Sequence, residues 1–123
     1  MGYELRVHRE PPLAYAELTA ATGGDAGFVV RGTAEAGEVL ARHGDGERPV
    51  ATWQGRLFGC PASDWEVAQL ARLAGLLGAG LVGEDGERYG IRGGIVEQVN
   101  GGTTYEFGKL EEILDAGPAQ WSA

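Results

Sequence analysis

Glycine punctuates this chain more than any other residue, and that limits it to short elements joined by tight turns. Twenty-two of the 123 residues are Gly. They gather at Gly23-Gly24, Gly44-Asp45-Gly46, Gly93-Gly94, Gly101-Gly102 and before Pro118, between short apolar runs. Glycine supplies the positive φ that tight turns and helix ends need. No Gly-X-Y period is present, so a collagen helix is excluded. With 43% hydrophobic and 23% charged residues, the composition is that of one turn-rich globular domain spanning residues 1–123. Residues 90–123 read as a C-terminal extension on the same core.

The apolar pattern between the breaks gives the elements. Tyr3 to Arg9 alternates, with Tyr3, Leu5 and Val7 on one side and Glu4, Arg6 and His8 on the other, which predicts a half-buried strand. Pro11-Pro12 ends it, and Leu13 to Thr22 reads as a short helix stopped by Gly23-Gly24. Phe28 to Val30, Glu38 to His43, Val50 to Gln54 and Arg56 to Phe58 read as an antiparallel meander, with a turn over 44–49. Ser63 to Leu77 is the clearest element. Ser63 and Glu66 form a capping box, Val67, Leu70, Ala71, Ala74 and Leu77 make an apolar stripe, and Gly78 sits at the left-handed stop. Two hairpins follow, over 81–91 and 95–107, and Lys109 to Ala116 reads as a terminal helix. The expected fold is α+β: a mainly antiparallel sheet with one long helix across a face and one or two short helices.

Charge narrows the function. Ten Lys and Arg face eighteen Asp and Glu, for a net charge of -8. The single Lys is Lys109 and the nine Arg are scattered along the sequence, so nucleic-acid and anionic-membrane binding are disfavoured. An acidic domain suits a basic partner instead. Cys60 is the only cysteine, so no disulfide forms within the chain. No secretory signal and no membrane-length apolar run is seen, and the expected compartment is the cytoplasm.

Catalytic and metal-binding patterns are weak. Glu84, Asp85 and Glu87 crowd one turn, and Glu111, Glu112 and Asp115 share one helix. Acid–base hydrolysis needs two carboxyls across a cleft with one raised pKa, and a solvated turn does not raise one. Cys60 has no diagnostic spacing to His8 or His43, and a lone Cys reads as a small buried hydrophobe. No set of three or four metal ligands converges in sequence, and no phosphate loop or nucleophile elbow is present. No catalytic residue, metal or cofactor is assigned. Trp53 reads as core, Trp65 as half exposed, and Trp121 as a loose end docking on the body.

Three segments carry a resemblance. Gly2-Tyr3-Glu4-Leu5-Arg6-Val7-His8-Arg9-Glu10-Pro11, Trp53-Gln54-Gly55-Arg56-Leu57 and the run from Leu76 to Tyr89 through Gly83-Glu84-Asp85-Gly86-Glu87 are similar to short signatures of a loose group of small bacterial proteins. Most members are uncharacterised, and some resemble immunity proteins of polymorphic toxin systems. The resemblance covers residues 2–89 and implies a small α+β domain that acts by binding. The expected function is an immunity-type inhibitor meeting a basic protein partner through Glu84, Asp85, Glu87, Glu111, Glu112 and Asp115. The alternative is a small enzyme or ligand-binding protein of specialised metabolism, with a pocket between sheet and helix near Cys60, His8 or His43. A homodimer through an edge strand is a third reading.

Overall fold

The structure is a computed structural model that describes residues 3–24 and 27–119. Its elements run β1 (Leu5–His8), α1 (Tyr15–Gly23), β2 (Phe28–Gly32), β3 (Gly37–His43), β4 (Gly46–Trp53), β5 (Leu57–Gly59), α2 (Asp64–Leu76), β6 (Gly80–Gly83), β7 (Arg88–Arg92), β8 (Ile95–Asn100), β9 (Thr103–Lys109) and α3 (Leu110–Ala116). All nine strands join one sheet in the order β2-β3-β4-β5-β1-β6-β7-β8-β9, and every pairing is antiparallel. The first strand of the chain therefore sits at the centre. It zips the β2–β5 meander to the β6–β9 meander, and β2 and β9 form the edges. Residues 90–119 are continuous with this sheet: Val96 of β8 and Ile113 of α3 belong to the same core as Leu5 and Leu57.

The α+β class and the antiparallel sheet are as the patterning predicts, but among the described residues no long helix is present. The three helices have 9, 13 and 7 residues. α2 starts where the cap predicts, with the Ser63 Oγ accepting from the Glu66 amide at 3.1 Å. The Glu66 carboxylate turns back to the amide of Ala62, one residue before the cap. α2 stops after Leu76, with Leu77 as its C-cap and Gly78 at φ +62°. Its surroundings also differ from expectation. A single stripe predicts one packed face, yet Trp65, Val67, Ala68, Gln69, Leu70, Ala71, Leu73 and Ala74 are all buried. A helix buried on most sides is an interior element, and each such Leu contributes about 2 kcal/mol by leaving water. Trp65, expected to be half exposed, is 1% exposed.

The sheet curls about α2. The His43 ring, at the end of β3, lies 6.0 Å from the Trp65 ring. The same His43 meets the turn after α3, where an added Cβ at Gly117 would stand 2.6 Å from Nε2. Strands near opposite edges of the sheet thus converge on the start of α2. α1 joins the same layer, because Tyr15 packs at 5.7 Å on Trp53 and Leu18 is fully buried in the common core. Trp53 is core, as its sequence position predicts, and its Nε1 donates to the Ala34 carbonyl at 2.8 Å.

The turn between β3 and β4 is shorter than expected. The turn expected over 44–49 is only Gly44-Asp45, and β4 continues through Pro49. The ladder shifts register between Val39 and Leu40, so Pro49 faces Leu40 beside a bulge at Val50. A bulge is where a strand tolerates the missing proline N–H. The Gly-rich run 90–94 is a tight hairpin, with Gly93 and Gly94 at φ +58° and +78°, the geometry a two-residue turn selects. Trp121 lies outside the described residues.

Candidate functional site

The two acidic clusters have opposite surroundings. In the β6–β7 hairpin, Glu84 and Asp85 are exposed but Glu87 is 4% exposed. The Glu87 carboxylate folds back over Gly83, so closely that an added Cβ at Gly83 would collide with it. Both Tyr3 and Tyr89 donate their hydroxyls to Oε2, at 2.5 and 2.8 Å, and the Asp85 amide donates to Oε1 at 3.1 Å. The Tyr89 hydroxyl in turn accepts from Gln98 Nε2 at 3.3 Å. Burial opposes ionisation of Glu87. The hydrogen bonds from Tyr3, Tyr89 and the amides outweigh it and hold the carboxyl below its ordinary range. Burial first, then the bond to Glu87, pushes both tyrosine hydroxyls above their ordinary range. Glu84 is also engaged, accepting from the Glu4 amide at 2.7 Å. The expectation of a solvated acidic tip thus fails for Glu87, whose carboxylate ties the start of the chain to a hairpin more than 80 residues away.

α3 is different. Glu111, Glu112 and Asp115 are exposed, and none makes a hydrogen bond or ion pair within the described residues. Glu112 and Asp64 border a cleft of ≈ 280 Å³ between α3 and the start of α2. Its apolar wall is Trp65, Phe107 and Ile113, and Lys109 also borders it. The six acidic residues that sequence groups together therefore do not form one surface of equivalent side chains.

The cysteine and histidine readings separate as well. Cys60 is exposed, not buried, because it follows Gly59 out of the sheet. Leu5 faces Gly59 across the β1–β5 ladder, so Cys60 and His8 lie toward opposite ends of it. His43 sits at the far hairpin beside Trp65 and Gly117. No Cys–His pair forms, and no three His, Cys, Asp or Glu side chains converge on a metal position among the described residues. Among the described residues, no helix is long and apolar enough to cross a membrane.

Sequence reasoning missed the face of the sheet that none of the described helices covers. Leu5, Val7, Leu57 and Leu81 point toward the helices. The alternate residues form one unbroken row across all nine strands: Arg31, Glu38, Thr52, Phe58, Arg6, Val82, Arg88, Val99 and Thr104. Arg56 joins this face by stacking over the Phe58 ring at 4.1 Å, and Arg92 by bonding Glu97 at 3.1 Å. Arginines scattered in sequence are thus collected on one surface. The signal was present in the strict alternation of Leu5, Arg6 and Val7, but that alternation names no neighbours on other strands.

No family model, curated protein or solved structure matches this chain.

Proposed function

We propose that the chain acts by binding a basic protein partner, as an immunity-type inhibitor does. The observation that carries this reading is the cleft between α2 and α3. Half-buried Phe107 in its wall suits the aliphatic stem of a Lys or Arg, and exposed Glu112 at its border suits the charged head. Glu111 and Asp115, exposed on the same helix, extend the negative surface. The net charge of -8 adds long-range attraction for such a partner. Glu84 and Asp85 belong to a separate exposed tip, and Glu87 is committed to the hairpin. The bacterial resemblance of residues 2–89 points to the same class of function.

The test starts from a basic protein co-purified with the tagged chain at low salt. Adding the chain to that protein is expected to suppress its activity. The E111K/E112K/D115K variant is expected to relieve suppression at least tenfold, since charge reversal at an interface costs several kcal/mol. Unchanged activity of the partner would reject the inhibitor reading. Suppression indifferent to the α3 charges would reject the site.

A further inference from the structure

The uncovered face of the sheet holds a cationic centre that the acidic net charge hides. Arg6 of β1 and Arg88 of β7 both face Val82 of β6, one from each side. Their Cα atoms are two strand spacings apart, about 10 Å, which lets two long side chains meet one group. Both residues are exposed, and neither makes a hydrogen bond or ion pair within the described residues. Of the acids on this face, Glu4 pairs with Arg56 at 2.8 Å and Glu97 with Arg92 at 3.1 Å, while exposed Glu106, opposite Glu97 on β9, lies two strands beyond Arg88.

Gly80 shapes this centre. It faces His8 across the β1–β6 ladder, and an added Cβ there would stand 3.3 Å from Nη1 of Arg88. The Arg88 guanidinium therefore reaches over β6 toward β1 and occupies the space a side chain at Gly80 would take. Arg6 and His8 are two residues apart on β1 and point to the same face. Arg6, His8 and Arg88 thus surround a floor made by Gly80 and Val82, with half-buried Phe58 and Val99 farther along the row.

We infer that this centre is a docking surface for an acidic, partly apolar segment of a protein partner. Two unpaired guanidiniums flanking an apolar floor match carboxylates alternating with apolar side chains, the pattern of an extended acidic peptide. A long polyanion is the poorer match, since two free guanidiniums neutralise only two of its many charges. The inference concerns the face opposite the helices and is independent of the α2–α3 cleft.

The experiment is a titration of the full chain with a twelve-residue peptide of alternating Glu and Leu, followed by amide chemical shifts and fluorescence anisotropy. Matched arms replace Glu with Lys, or use a single-stranded oligonucleotide of twelve nucleotides. Binding of the acidic peptide is expected to shift amides of β1, β6 and β7 and to weaken with salt. R6A/R88A is expected to weaken it at least tenfold. G80V, which fills the floor, is expected to weaken it with both arginines in place. E111K/E112K/D115K is expected to leave it unchanged, which separates this surface from the α2–α3 cleft. Absence of acidic-peptide binding overturns the proposal, as does binding indifferent to R6A/R88A. So does tighter binding of the oligonucleotide, which would assign the face to nucleic acid. Unchanged denaturation midpoints of the variants exclude unfolding as the cause of any loss.

Discussion

The β6–β7 hairpin and α3 each carry three carboxylates within five or fewer positions, and the fold treats them in opposite ways. In the hairpin, Glu87 is buried beneath two tyrosine hydroxyls, and the Asp85 amide is drawn into the same contact. On α3, Glu111, Glu112 and Asp115 stand in solvent. The difference comes from what lies alongside. The hairpin tip runs beside the start of β1, which brings Tyr3 within reach. α3 follows an edge strand and buries Ile113, leaving its acidic side outward. Acid count says nothing of function until the neighbours of each carboxylate are known.

Removing the buried carboxylate is expected to have the largest effect. E87A leaves the Tyr3 and Tyr89 hydroxyls and the Asp85 amide without their shared acceptor. Charge-assisted hydrogen bonds are strong, and the expected loss is about 3 kcal/mol of unfolding free energy, read from the urea midpoint. An effect under about 1 kcal/mol would mean the hairpin is held by something else. G83A attacks the same contact from below, because its Cβ takes the space of the carboxylate. The expected cost is about 2 kcal/mol. Since both substitutions displace one group, G83A/E87A is expected to cost clearly less than the sum of the two. Additivity would show that Gly83 and Glu87 act separately.

These residues also show where sequence stops being legible. The Ser63 cap, the Gly78 stop and the alternation of β1 depend on near neighbours in the chain, and each was readable. The central position of β1 was not, because its partners β5 and β6 are chosen by packing rather than by local pattern. The same ignorance hid the Tyr3–Glu87 bond, which spans 84 positions, and the Arg6–Val82–Arg88 row. α2 misled in a different way. Its strongest stripe was visible, but Trp65, Ala68 and Gln69 are buried as well, Trp65 against His43 from the end of β3. Cys60 was expected inside on residue type alone, and the exit of the chain after Gly59 places it outside.

Acid acts on the hairpin through the same carboxyl. The Glu87 carboxyl is held below its ordinary value, so its contribution is fully present above the unfolded-state value of 4.5 and is lost as pH falls through the folded-state value. The urea midpoint of the native chain is expected to fall on acidification from pH 6 to pH 3 more steeply than that of E87Q. Parallel curves would remove Glu87 as the source. Y3F keeps the ring and deletes one donor to Glu87, and the expected cost is about 1.5 kcal/mol. Its acid dependence is expected to be shallower than that of the native chain, because one of the bonds lowering the carboxyl is gone.

The smallest expected effect on stability belongs to α3, and its smallness is informative. Glu111 and Glu112 lie in the first helical turn, where the dipole favours negative charge by about 0.3 kcal/mol each. Asp115 lies in the last turn, where the dipole opposes it. E111A/E112A/D115A therefore removes partly cancelling terms from exposed positions, and the urea midpoint is expected to move by less than about 0.5 kcal/mol. A chain that keeps its stability while losing affinity for a basic partner would show that these carboxylates serve contact. A large loss of stability would instead place α3 with the hairpin, as a second acidic cluster tied into the fold, and would remove the main support for the α2–α3 cleft as a docking surface.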